Sequence, residues 1–309
     1  MLASVVLYGC SGDDEGTTVT EDDKRVIDRY FSDTGIEHTI SAADVYTYVV
    51  EEDPDGDSEG DIYGIYYTLT DLSSGTELYS YQESDGAPLK MLNNANSIFP
   101  LGLEFGLDGL RAGSTYGLIF PSTLGYNIYR TSAVTPQVIP HFVVEVVSRE
   151  SAAEIFDEEV TAINAYIAAN ELNDTDVNPI DPVDEVESGL FYKRMVAGVD
   201  ISPSSGDSVT INYVGTKLDG SQFDALDGLK FEYGTTQLIS GFNTGIGLMQ
   251  QDERAMFIMT SSHAYGASVR VIPEEAIDDL VEQLVLPSYT ARIRPFESLI
   301  FDVSIEAIE

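Results

Sequence analysis

SVTINYVGTKLDGSQFDAL (residues 208–226) and LKFEYGTTQLISGFNTGIGLM (229–249) decide how this chain folds. In the first, apolar and polar residues alternate through Tyr213 to an Asp219-Gly220 turn, after which Phe223-Asp224 begins the return: a β-hairpin. The second predicts a short helix that starts near Gly241 and carries Phe242 and Ile246. HAYGA (263–267) and the alternating ESLIFDVSIEAIE (297–309) complete an aromatic-rich set of strands and turns.

Working outward, the same order of elements occurs once before. IYYTLTDLSSGTEL (65–78) parallels INYVGTKLDGSQFD (211–224), and ADVYTYVVEE (43–52) parallels SGLFYKRMVAG (188–198). Gly102 and Gly241, Gly106 and Gly245, and Tyr126 and Tyr265 all share one offset in the sequence. A helix is expected before each half. Glu21–Ser32 has Thr20 as cap, three acidic residues in its first turn and a Val26, Ile27, Tyr30, Phe31 stripe; Ala152–Ala169 has Ser151 as cap and Ile155, Phe156, Val160, Ile163 and Ile167 at helical spacing. Between the halves, NELNDTDVNPIDPVDEVES (170–188) is rich in Asn, Asp and Pro and reads as a linker.

The ordered set Tyr213, Phe223-Asp224, Leu238-Ile239, Phe242, Tyr265-Gly266, Ile293 and Phe301 resembles the FKBP family of peptidyl-prolyl cis-trans isomerases over roughly residues 188–309. The resemblance implies an α+β fold: two FKBP-like domains, each an antiparallel sheet wrapped around a short helix, with helices preceding each domain. The expected divisions are 1–19 (a lipoprotein signal remnant and acidic tether), 20–150 (a helix and a degenerate first domain), 151–187 (helix and linker) and 188–309 (the second domain). By resemblance Tyr213, Phe223, Leu238, Ile239, Phe242 and Phe301 line the pocket, with Asp224 beside it. Tyr265 donates to a ligand carbonyl and the Ile239 N–H anchors the bound chain. Ile293, Leu229 and His263 are expected to touch substrate. Any one of these aromatics is also what an inert barrel would bury, so the specificity lies in the ordered set.

The implied chemistry is proline isomerisation, acting on proline-containing polypeptides that are exported or unfolded. It needs no cofactor and no metal, only a site that holds the twisted amide better than either planar form. Two departures stand out: the floor is Phe242 in a chain with no Trp, and PEEAIDDLVEQLVLPSY (273–289) is inserted after Gly266. The insert predicts a short amphipathic helix through Ala276, Leu280 and Leu284, packed locally. In the first half Tyr67 and Tyr126 persist, but Leu78-Tyr79 replaces Phe-Asp, Leu103 is the floor, and Pro100 stands where the anchoring N–H belongs. That domain is expected to be catalytically silent, serving binding or spacing.

The 309-residue chain carries 53 acidic and 15 basic residues, a net charge of −38, which excludes nucleic acid as a partner. DPDGDSEGD (53–61) begins like a calcium loop but has Ser58 and Gly64 where Gly and Glu are required, so an acidic turn is expected. His38, His141 and His263 lack zinc-ligand spacing, and Ser261-Ser262-His263 lacks a nucleophile elbow. The single cysteine, Cys10, follows the apolar run MLASVVLYG, and LYGC resembles a bacterial lipoprotein processing site. The run is shorter than the ~20 residues that span a bilayer. Ser11–Glu15 resembles the acidic export signal of Bacteroidetes surface lipoproteins. An outer-membrane lipoprotein is therefore expected, lipidated at Cys10 and exposed at the cell surface, with a periplasm-facing location as the alternative. An outer-membrane protein complex is a further expected partner, and a non-catalytic accessory subunit of it is the rival reading.

Overall fold

The computed structural model describes residues 15–173, 183–235 and 238–309; Cys10 and its acidic neighbours, and the centre of the expected linker, lie outside the described residues. The chain divides into two compact units. The N-terminal unit runs α1 (Glu15–Thr34), β1 (Thr39–Ile40), β2 (Tyr46–Glu51), β3 (Ile62–Asp71), β4 (Thr76–Tyr81), β5 (Leu89–Leu92), β6 (Ile98–Phe99), α2 (Leu101–Leu107), β7 (Ser114–Ile119) and β8 (Pro140–Glu150). The C-terminal unit runs α3 (Ala152–Ala169), β9 (Asp184–Glu187), β10 (Leu190–Val196), β11 (Ser208–Lys217), β12 (Gln222–Glu232), α4 (Ser240–Leu248), β13 (Arg254–Met259) and, after an excursion, β15 (Leu299–Ile308).

The internal repeat is a repeat of topology. One sheet has the order β1-β2-β7-β8-β3-β4, with β5 added to β3, and the other has β9-β10-β13-β15-β11-β12, element for element the same path. Both sheets are antiparallel. Their registers equate Tyr67 with Tyr213, since these face Val144 and Val303, and equate Phe142 with Phe301, opposite Leu69 and Gly215. Along β15 the burial alternates from Phe301 onward, as one covered sheet face requires.

In each unit a short helix packs on the sheet through glycine. A Cβ at Gly245 would come within 2.7 Å of the Phe257 ring, and one at Gly106 within 2.8 Å of Leu118, so only hydrogen fits there. The preceding helices belong to the domains they precede. Asp23 of α1 accepts from Ser122 N and Oγ at 2.8 and 2.6 Å, and Glu159 of α3 accepts from Ser261 N and Oγ, both at 2.6 Å. Ser122 and Ser261 each begin a 3-10 turn, so both carboxylates cap the N-terminus of the turn that leads to Tyr126 or Tyr265. Helix α1 extends beyond the expected Glu21–Ser32, whereas α3 has the expected bounds.

The insert departs from expectation. It contains β14 (Arg270–Val271) and α5 (Ile277–Glu282), and residues 269–292 belong to the N-terminal unit instead of packing locally in the C-terminal one. The chain leaves and re-enters at one place, where Phe296 N donates to Gly266 O at 3.0 Å. Val271, Ile272, Ala276, Ile277, Leu280 and Leu286 join the apolar core that contains Tyr67, Leu103, Tyr126 and Phe142. Burial decides the matter: these six side chains form a wide apolar face that β14 and α5 cannot bury against each other. The expected helix ends at Glu282, and Leu284 is 89 % exposed. The peptide bonds Phe99–Pro100 and Ile272–Pro273 are cis.

Candidate active site

Strand register builds the site of the C-terminal unit. Gly215 of β11 pairs with Asp224 of β12 on one side and Phe301 of β15 on the other. This puts Tyr213, Asp224 and Phe301 on neighbouring strands. Phe223 folds over the gap at Gly215, where an added Cβ would sit 2.6 Å from its ring. Tyr213 Oη donates to Asp224 Oδ2 at 2.7 Å, and Asp224 Oδ1 accepts from Ala225 N at 3.0 Å. The carboxylate thereby holds the phenol at a set angle on the rim of an otherwise apolar cluster.

Helix α4 supplies the floor. Phe242 meets Phe301 with centroids 4.9 Å apart at 75° and Tyr213 at 5.6 Å, also 75°; Phe223 meets Phe301 at 5.5 Å and 89°. These are edge-to-face contacts, which place positive ring edges on negative ring faces and lock each ring's orientation. Phe223, Phe242 and Phe301 are buried, Tyr213 and Asp224 half-buried. Phe257 of β13 extends the set, 6.0 Å from Phe242. Sequence reasoning missed it; the signal available was its offset from Leu118, the partner of the repeated glycine.

The remaining expected residues fall around this cluster or away from it. Ile239 is the extended residue before α4 (φ −59°, ψ 149°). Its carbonyl accepts from Asn243 N, and among the described residues nothing accepts its N–H. Pro100 has the corresponding place and backbone (φ −76°, ψ 157°) before α2. Leu238 and Tyr265 are half-buried. Tyr265 follows the 3-10 turn Ser261–His263, which is closed by Gly266 N donating to Ser261 O at 2.8 Å. Three residues are not brought into the aromatic cluster by any described contact. His263 is committed to the backbone, with Nε2 donating to Ser188 O at 2.9 Å. Leu229 lies opposite Ile211, further along the hairpin, and Ile293 is buried where the chain re-enters the unit.

Among the described residues this arrangement brings no nucleophile beside a base. It presents an aromatic floor, one oriented phenol-carboxylate pair and one backbone donor, which is equipment for gripping and desolvating an extended chain. Among the described residues no group of three or more His, Cys, Asp or Glu side chains stands close enough to hold a metal ion.

Residues 199–306 match the family model for FKBP-type peptidyl-prolyl cis-trans isomerase. The chain is 38 % identical over 74 residues to FK506-binding protein 1A of Aspergillus fumigatus, covering 23 % of this chain and 65 % of that protein. Over 147 residues it is 30 % identical to the FKBP-type peptidyl-prolyl cis-trans isomerase FkpA of Aeromonas hydrophila (47 % of this chain, 44 % of that protein), and over 81 residues 33 % identical to the outer membrane protein MIP of Legionella longbeachae (26 % and 35 %). The chain thus spans from about a third to about two thirds of the length of these relatives. A solved peptidyl-prolyl cis-trans isomerase from Pseudomonas syringae pv. tomato aligns with a TM-score of 0.37 at 20 % identity, covering 52 % of this chain and 98 % of that one.

Proposed function

We propose, from the premise that residues 199–306 are a segment of the FKBP-type peptidyl-prolyl cis-trans isomerase family, that the C-terminal unit isomerises X-Pro bonds in exported or unfolded polypeptides. The observation that carries this reading is the Phe223–Phe242–Phe301 cluster with the Tyr213–Asp224 pair at its rim.

Rotation about an X-Pro bond is slow because it breaks amide resonance, a barrier of ~18–20 kcal/mol. At the twisted geometry the carbonyl has lost part of its negative charge, so an apolar site that excludes water disfavours the planar amide more than the twisted one. Phe242 and Phe301 supply that surface. The Ile239 N–H and the Tyr265 hydroxyl anchor carbonyls of the bound chain, so that one side of the bond is held while the other turns. The Tyr213–Asp224 bond keeps the rim polar in one place only. Leu238 completes the wall; Ile293, Leu229 and His263 act, in this reading, on substrate residues farther from the proline.

The test is an isomerase assay on the full chain with an aliphatic-Pro peptide, followed by NMR exchange so that no auxiliary protease is needed. A rate above the thermal one, reduced in Asp224→Ala and Tyr265→Phe, is expected. A wild-type rate equal to the thermal rate would sink the reading and favour the rival, a non-catalytic binding module in an outer-membrane complex.

The cellular placement proposed is the bacterial envelope, by lipidation at Cys10 and with surface exposure as the finer reading. The relative named as an outer membrane protein supports it. Among the described residues no helix is long and apolar enough to cross a membrane. Labelling cells with a fatty-acid analogue, with Cys10→Ala as control, tests the anchor, and protease shaving of intact cells tests the side.

A further inference from the structure

The N-terminal unit has a counterpart of every wall of that pocket, and its own chain fills it. Tyr67 and Phe142 hold the strand positions of Tyr213 and Phe301, Leu103 that of Phe242, and Tyr126 that of Tyr265. Residues 269–292, which count with this unit, lie on these side chains.

The contacts are those of a bound peptide. Arg270–Val271 pairs in parallel with Ile98–Phe99, with Arg270 N donating to Ser97 O at 2.9 Å and Ile272 N to Phe99 O at 2.8 Å. Tyr126, fully buried, donates its hydroxyl to Ile272 O at 2.8 Å. The Arg270 guanidinium reaches Lys90 O through Nε and Nη2 at 3.1 and 3.0 Å. Farther on, Ser132 N and Oγ both donate to Asp279 Oδ2. Main-chain pairing to a short edge gives grip, and pockets for alternate side chains give selectivity, the division of labour by which sheet edges bind extended peptides. Pro100 has no N–H to offer, and strand pairing by residues 97–99 takes over the anchoring.

We propose that the N-terminal unit is a binding module for aliphatic-Pro segments, and that residues 270–273 of this chain are its resident ligand. Its pocket is then closed to other polypeptides while the insert is seated, whatever the C-terminal unit catalyses; the two readings fail separately.

The first experiment uses the full chain and amide hydrogen exchange. Tyr126→Phe keeps the ring and removes only the bond to Ile272 O. The expected result is about tenfold faster exchange at the Arg270 and Ile272 amides, with β3 and β8 amides unchanged. Equal acceleration across the sheet, or none at Arg270 and Ile272, overturns the proposal. The second replaces residues 270–291 with a short Gly/Ser linker and titrates a fluorescent synthetic peptide of residues 268–288. Binding is expected near micromolar Kd, on the order of −8 kcal/mol, weakened about tenfold by Pro273→Ala in the peptide or Tyr126→Phe in the protein. A linker variant that does not fold, or that folds and leaves the peptide free at about 1 mM, shows the segment to be core and overturns the proposal.

Discussion

Tyr213 and Asp224 are hydrogen-bonded diagonally across the β11–β12 hairpin; the Tyr213 ring packs on Phe242, whereas the half-buried Asp224 carboxylate sits at the rim. Asp224→Ala should therefore lower kcat/KM by about tenfold, equivalent to about 1.4 kcal/mol, while the melting temperature stays within about 2 °C of wild type. A parallel loss of stability and activity would assign Asp224 to folding instead. His141 illustrates a different single-residue effect. Burial lowers its imidazole to about 4 from 6.5, and Tyr48 Oη lies 2.8 Å from Nε2. Between those two values the unfolded chain binds a proton that the folded one refuses, so stability rises with pH across the window and is complete above it. The N-terminal unit should lose about 2–3 kcal/mol between pH 6.5 and 4 from this residue alone. Urea melts of wild type and His141→Gln at both ends of the window check this: the variant should show a correspondingly smaller loss.

At the level of elements, the carboxylate clamps explain why a helix precedes each sheet. Glu159 is buried and satisfies two donors of the turn that carries His263 toward Tyr265. Glu159→Ala leaves both donors unpaired and should cost about 2–4 kcal/mol, read from urea denaturation of the C-terminal unit. Asp23→Asn, which keeps one acceptor at a half-buried position, should cost less. Helix α4 is placed by steric exclusion. Gly245→Ala drives a methyl into Phe257 and should cost about 1–3 kcal/mol. Because Phe257 touches Phe242, the same change should also lower the isomerase activity proposed above, whereas a purely global effect would leave the activity of the folded fraction intact.

On the scale of the whole molecule, a charge of −38 makes self-repulsion a general term against folding. Screening shortens its range from about 30 Å at 0.01 M salt to about 3 Å at 1 M. Raising monovalent salt across that range should increase the melting temperature by several degrees, with sodium and potassium equivalent; a requirement for micromolar calcium would indicate a specific site instead. The acidic residues are spread over both units, and each unit carries the same sheet topology with different side chains at the pocket. One pocket has the aromatic floor, the phenol-carboxylate pair and a backbone donor. The other has Leu103, Tyr79 hydrogen-bonded to Ala133 O, and Pro100.

Much of this was legible in one dimension. Alternation through β11 and β15, the Asp-Gly turn, the 139-residue offset of paired glycines and tyrosines, and the Ala152–Ala169 stripe are local signals, set by period and by turn chemistry, and the elements formed where those signals lie. The loss of the anchoring N–H at Pro100 was likewise readable, because it is a covalent property of the residue. The partner of a segment was not. Nothing local marks Glu159 as a cap for Ser261, since a carboxylate on a helix reads as solvated until another backbone turns its N–H toward it. The insert shows the limit most plainly. Its apolar spacing predicted a face to be buried and left open what would bury it; that was decided by the N-terminal unit's core, where Val271, Ile272, Ile277 and Leu280 are buried and Tyr126 donates to Ile272 O. Periodicity is a property of one segment, whereas burial is settled between two, and only the folded chain brings the second one in.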